Sequence, residues 1–227
     1  MILRCHCSQY PKEIDSSERN FLELDLSILN RAVDIKSHFS EDVVLIKVAT
    51  VVEVQSPKPN AVGETPAPSP SATRTQILLL PGVIGKQLSA TGLVGVSLEN
   101  VETFDHVLVG NEILMFGYPT SLSLVPNPKT YFQRSLLRKG IVAGENPPMH
   151  SIILDRPSYQ GDSGGPILKI ELDSPFETHF KSIGVMSSFA PFADTWMNQH
   201  FGYINTTLQN SGYSIATPID FVLDLIK

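Results

Sequence analysis

The chain of 227 residues contains only two cysteines, Cys5 and Cys7. One residue apart, they are too close for an unstrained disulfide, so no disulfide framework exists and a hydrophobic core must hold the fold. Metal ligands of the soft or borderline kind are as scarce. Cys5-His6-Cys7 supplies up to three, but nothing nearby offers another Cys to complete a structural zinc set, so no metal is expected. Basic clusters are missing as well: 17 Lys+Arg against 23 Asp+Glu give a formal net charge of −6. Nucleic acid is therefore not an expected partner. No apolar run is long enough to span a membrane and no secretory signal is visible, so a membrane is not an expected partner either. Few cysteines and no signal together favour a reducing compartment such as the cytoplasm.

What is present in quantity is punctuation: 15 Gly and 17 Pro divide the chain into short segments that read as strands. Phe21-Leu22-Glu23-Leu24-Asp25-Leu26 alternates apolar and polar residues, the pattern of a half-buried strand. Asp42 opens the β-branched run Val43-Val44-Leu45-Ile46-Lys47-Val48, which predicts a buried strand beginning at a carboxylate and continuing through Val51-Val52-Glu53-Val54. From Ser56 to Thr73 the chain is rich in Pro, Ala and Ser and is expected to be a surface loop. Ordered structure is expected to resume at Ile77–Leu80. Thr217 as cap and Pro218 at the first helical position predict a C-terminal helix.

The most informative segment is Gly161-Asp162-Ser163-Gly164-Gly165-Pro166. Three glycines around one serine let the backbone turn tightly, expose the hydroxyl and bring a substrate carbonyl close. Ser163 is thus the candidate nucleophile, and the N–H groups of Gly161 and Ser163 are candidates for an oxyanion hole. The same residues match Gly-x-Ser-x-Gly, the nucleophile elbow of α/β-hydrolases. That esterase reading requires a helix after the serine. Here Gly165-Pro166-Ile167-Leu168-Lys169-Ile170 reads as a strand.

Gly-Asp-Ser-Gly-Gly-Pro resembles the nucleophile motif of the chymotrypsin-like (trypsin-like) serine proteases, of the bacterial trypsin-like peptidase type. The resemblance implies an all-β fold of two six-stranded antiparallel β-barrels with a short C-terminal α-helix. It implies a first barrel over 1–80, with the insertion at 56–73, and an inter-barrel linker over 81–105. A second barrel over 106–216 carries the nucleophile, with strands at Gly110–Pro119, Arg138–Gly144, Ser151–Asp155, Ser182–Ser188 and Gly212–Ala216, and the helix occupies 217–227. Asp42 resembles the family's acid preceding a hydrophobic strand, and Ile2-Leu3-Arg4-Cys5-His6-Cys7 is similar to the segment in which a strand ends at the histidine base. The catalytic set implied is His6, Asp42 and Ser163, in the chymotrypsin order, with no cofactor. His38, close to Asp42 in sequence, is read as a loop residue.

Ser182–Ser188 resembles the strand that lines the substrate groove, whose free edge takes an extended polypeptide substrate by strand addition. Pro157 falls at the base of the primary pocket and offers no charge to a basic side chain. Ser187, Ser188 and Phe189 complete the expected substrate-binding set. Small or apolar substrate side chains are therefore expected. Because His6 lies so near Met1, the first barrel is expected to lack two strands. That expectation leaves a catalytically impaired peptide-binding module as the alternative to an active endopeptidase.

Overall fold

The computed structural model describes residues 2–6, 21–55, 73–86, 96–118, 135–174 and 177–227. These divide into two compact units, residues 2–36 with 46–86 and residues 37–45 with 96–227. The molecule is mostly β, as its composition predicts.

In the first unit, β1 (Ile2–His6), β2 (Phe21–Asp25) and β7 (Val83–Lys86) form an antiparallel sheet in the order β1-β2-β7. The alternation in β2 is realised: Leu22 and Leu24 are buried, and Val83 of β7 joins them. Asp25 ends β2 and starts helix α1 (Leu26–Arg31), its Oδ1 accepting from the N–H groups of Ser27 at 2.9 Å and Ile28 at 3.3 Å. This N-cap satisfies two donors that the first helical turn leaves unpaired, and α1 then sends Leu29 into the same core. A ribbon of β5 (Ala49–Gln55) and β6 (Thr73–Leu79) follows, register Ala49↔Leu79 to Gln55↔Thr73. The proposed insertion, apart from Thr73, lies outside the described residues. No closed barrel forms among the described residues of this unit.

Two segments differ from expectation here. The run from Asp42 is not one buried strand: β3 (Ile35–Ser37) and β4 (Val44–Ile46) make a short hairpin, Asp42 sits in its bend, and Val44 is exposed. The apolar run is shared out, with Val43 belonging to the second unit and Ile46 and Val48 packing in the first. An apolar pattern reports burial but not which unit supplies it, and the boundary between the two units falls within this run. Within the stretch expected as a linker, Val83–Lys86 is a sheet strand and Phe104 is part of the second unit's core.

The second unit is a closed six-stranded barrel. Its strands are β8 (Glu112–Gly117), β9 (Leu136–Asn146), β10 (Ser151–Asp155), β11 (Pro166–Ser174), β12 (Glu177–Asn198) and β13 (Tyr203–Pro218). They close in the order β10-β13-β12-β11-β8-β9, with every neighbouring pair antiparallel. Two three-strand meanders, β8-β9-β10 and β11-β12-β13, thus meet at both ends, β13 on β10 and β11 on β8. Alternate residues point inward, as closure requires. Ile113 and Met115 from β8, Ile152 and Leu154 from β10, Ile167 from β11 and Ile183 from β12 are fully buried.

The C-terminal helix α2 spans Asp220–Ile226, later than its sequence signals suggest. Thr217 and Pro218 end β13 instead, paired with Val185 and Gly184 of β12, so sheet pairing claims the residues that would have opened the helix. Ile219 occupies the N-cap without a side-chain bond, and the Asp220 carboxylate accepts from the Phe104 N–H at 2.9 Å. Beyond Ser188 and Tyr213, β12 and β13 pair only with each other and leave the barrel as a two-stranded ribbon. Among the described residues no helix is long and apolar enough to cross a membrane.

Candidate active site

The segment from Arg156 to Gly165 joins β10 to β11 at one end of the barrel. Its path needs left-handed backbone at Gly161, φ 92°, and Gly164, φ 80°, a region that favours glycine. The Asp162 N–H donates to the Tyr159 carbonyl at 3.0 Å, and the Gly165 N–H donates to the Asp162 carbonyl at 3.0 Å, so the chain coils tightly about Asp162. Two further bonds fix the exit of the loop on β12: the Gly164 N–H donates to the Met186 carbonyl at 2.7 Å, and the Met186 N–H to the Gly165 carbonyl at 2.8 Å. After Gly165 the chain enters strand β11, so the strand-turn-helix of an α/β-hydrolase elbow is not formed.

Beneath the loop lies a buried charge cluster. Asp162 is 1% exposed, and its Oδ2 accepts from Arg138 Nη1 at 3.2 Å, Arg156 Nη2 at 3.4 Å and the Tyr159 N–H at 3.0 Å. Burial pulls the Arg156 guanidinium below its ordinary pKa, and the Asp162 carboxylate opposes that shift. An arginine stays charged even so, because its ordinary value lies so far above neutrality. Arg138 is less enclosed: it also donates to the Pro157 carbonyl at 3.3 Å and stands over the Tyr159 ring, 4.9 Å from its centroid. A carboxylate held by two cations and a backbone N–H fixes the residue immediately before Ser163.

Ser163 itself is exposed, and its hydroxyl donates to the Ser187 carbonyl at 3.2 Å. The partner carbonyl is presented by an irregularity in β12. Met186 pairs with Ala216 and Ser188 with Ile215, which leaves Ser187 as the extra residue of a bulge. Bulges of this kind re-aim backbone groups next to functional sites. Among the described residues no backbone carbonyl accepts from the N–H of Gly161 or of Ser163. Of the expected substrate-binding residues, Ser187 thus touches Ser163, Ser188 and Phe189 follow it along β12 as exposed residues, and Pro157 is an exposed loop residue bound through its carbonyl.

The remaining candidates lie on other elements. Asp42 is exposed in the bend of the β3–β4 hairpin, within the second unit, and among the described residues no partner meets its carboxylate. His6 ends β1 in the first unit, paired with Phe21, and its side chain lies outside the described residues. His38 does lie in the β3–β4 loop, where its Nδ1 accepts from the Glu41 N–H at 3.3 Å and its ring meets Phe221 edge-on at 5.0 Å. No group of three or more potential metal ligands occurs among the described residues.

The residues that sequence reasoning missed are Arg138, Arg156 and Tyr159. A signal for one of them was available: Arg156 is the only Lys or Arg between Lys139 and Lys169, and a buried acidic residue in a glycine-rich loop needs a nearby cation. No family model, no curated protein and no solved structure matches the chain.

Proposed function

We propose that the chain is a serine endopeptidase of the chymotrypsin-like type, with Ser163 as its nucleophile. The observation that carries this reading is the presentation of Ser163. Its hydroxyl is exposed on a loop locked from below by the Asp162–Arg156–Arg138 cluster, and the N–H groups on either side of Asp162 have no backbone acceptor among the described residues. Barrel topology supports it, since a loop joining two three-strand meanders of a closed antiparallel barrel is where the resemblance puts the nucleophile. In the proposed cycle Ser163 Oγ attacks the scissile carbonyl while His6 takes its proton. Asp42 orients the imidazole, and the Gly161 and Ser163 N–H groups stabilise the oxyanion. His6 then returns the proton to the leaving amine, and water hydrolyses the acyl-enzyme. An extended polypeptide with a small or apolar side chain beside Pro157 and Phe189 is the substrate class proposed.

A fluorophosphonate probe tests the nucleophile. Wild type should be labelled at Ser163, and Ser163→Ala should abolish labelling with an unchanged melting temperature. A folded wild type that stays unlabelled, under conditions that label a control protease, would remove the active-enzyme reading. His6→Ala should end turnover and His38→Ala should leave part of it; the reverse result would reassign the base.

A second reading, a peptide-binding module without turnover, is favoured by one observation. The Ser163 hydroxyl donates its proton to the Ser187 carbonyl at 3.2 Å, an acceptor that belongs to the fold and not to a base. In that case fluorescent peptides bind with equal affinity to wild type and Ser163→Ala, and neither protein is labelled.

A further inference from the structure

The β12–β13 ribbon projects an uncharged apolar end that neither the barrel nor the proposed catalytic scheme uses. Trp196, Met197, Phe201, Tyr203 and Ile204 gather within its last three cross-strand pairs and the turn, each 51 to 69% exposed. Strand pairing fixes their directions. Trp196↔Asn205 and Asn198↔Tyr203 share one face, Met197↔Ile204 the other, and Phe201 sits in the turn stacked at 5.9 Å on Tyr203. The apolar surface therefore wraps both faces and the end of the ribbon.

Several side chains in this region bond within the ribbon. Thr195 and Thr206 hydroxyls bond each other at 3.1 Å on the Met197 face. Asn198 Oδ1 accepts from the N–H groups of His200 at 3.0 Å and Phe201 at 3.2 Å, closing the turn. Asp194 is the only acidic residue on the ribbon beyond Ser188, and its Oδ2 accepts from Gln209 Nε2 at 3.0 Å. No Lys or Arg occurs between Lys181 and Lys227. With no Lys or Arg on it, the ribbon carries no fixed positive charge to draw it to an anionic surface.

We propose that the ribbon end docks on a lipid surface, seating its aromatic tip among headgroups and upper acyl chains without crossing the bilayer. The choice among occupants follows from geometry. A second copy of the chain, or another protein, covers one face or one edge of a ribbon, whereas a lipid interface surrounds both faces and the turn together. Trp and Tyr suit that setting, with an apolar ring and a polar N–H or O–H to keep wet. Depth is limited because the outer backbone edges of a two-stranded ribbon remain unpaired and must stay near water. The absence of a spanning run in the sequence bears on crossing a bilayer and leaves interfacial docking untouched.

Trp196 is the only tryptophan of the chain, so emission excited beyond the tyrosine absorption band reports this tip alone. The full chain is titrated with phosphatidylcholine vesicles. Emission should move to shorter wavelength and be quenched by brominated acyl chains, with no loss of binding in high salt. Phe201→Ser and Ile204→Ser should each lower partitioning by about tenfold or more. Leu172→Ser, an equally exposed apolar site on the barrel, should leave it unchanged. Circular dichroism confirms that each variant is folded. Three outcomes overturn the proposal. One is no spectral shift with vesicles. Another is a shift that appears without lipid as protein concentration rises, together with a dimer in sedimentation. The third is binding confined to phosphatidylserine vesicles and abolished by salt. The test makes no use of peptidase activity, so it stands or falls apart from the role of Ser163.

Discussion

Asp162 carries more of the local architecture than Ser163 beside it. Its carboxylate is buried against Arg156, itself 2% exposed, so removing one charge strands the other in a low-dielectric site. Asp162→Ala should therefore destabilise the protein by roughly 3–5 kcal/mol, the range for breaking a buried pair from one side. Arg138→Gln should cost only about 1 kcal/mol, because that side chain reaches solvent and its loss leaves Arg156 in place. Urea denaturation of both variants measures the difference, and equal losses would mean that Arg156 does not hold the carboxylate. At this scale the sequence was half legible. Ser163 announced itself because glycines on both sides have few other uses. The clamp did not, since Arg138 and Arg156 come from different strands, and only the folded barrel brings them to one carboxylate.

Between elements, a second ion cluster fastens the segment around Glu102 to the barrel. Lys169 of β11 is nearly buried and its Nζ lies 2.5 Å from the Glu102 carboxylate and 2.6 Å from that of Glu171, while Lys181 of β12 reaches Glu171 at 3.0 Å. Burial pulls the Lys169 ammonium down, but its bonds to Glu102 and Glu171 outweigh that and leave its pKa raised above 10.5. Glu171 is lowered from 4.5, through its bonds to Lys169 first and Lys181 second. The signs define a window. Stabilisation from Glu171 is present above pH 4.5 and is lost as pH falls through its lowered value, while that from Lys169 is present below pH 10.5 and is lost as pH rises through its raised one. Lys169→Met keeps the apolar stem and should cost roughly 3 kcal/mol at pH 7, since it leaves Glu102 buried without its nearest cation. That cost should shrink in acid, and a penalty independent of pH would remove the ion-pair account. A strand was legible where alternation reported a single face, as in β2. The hairpin at Val44 and the helix start at Asp220 were not. In the first an apolar run is divided between two units, and in the second cross-strand pairing overrides a cap-and-proline signal.

Across the whole molecule, closure separates a stable part from an exposed one. Within the closed ring each strand has a neighbour on both sides along part of its length, and β10 is paired on both sides along nearly all of it, so its amides open only with the barrel itself. The ribbon that leaves it has the opposite character. From Pro191↔Asn210 to Asn198↔Tyr203 each strand has one neighbour, both faces meet solvent, and no lysine or arginine protects the edges. The ribbon does not hang free at its base, where Asn210 Nδ2 donates to the Ser158 carbonyl of the nucleophile loop at 2.5 Å and Ser211 Oγ donates to the Ala190 carbonyl. Hydrogen exchange followed by mass spectrometry should accordingly rank three regions. Peptides covering β10 and the start of β11, with Ile152, Leu154 and Ile167 in the core, should exchange slowest. The Ser158–Gly165 loop should be intermediate, and residues 192–208 should exchange fastest in dilute protein without lipid. Adding phosphatidylcholine vesicles should slow the ribbon tip and leave the barrel unchanged. If the tip is as protected as the barrel in dilute protein alone, something within the molecule already covers it, and the account of an unpartnered ribbon fails at the level of the fold.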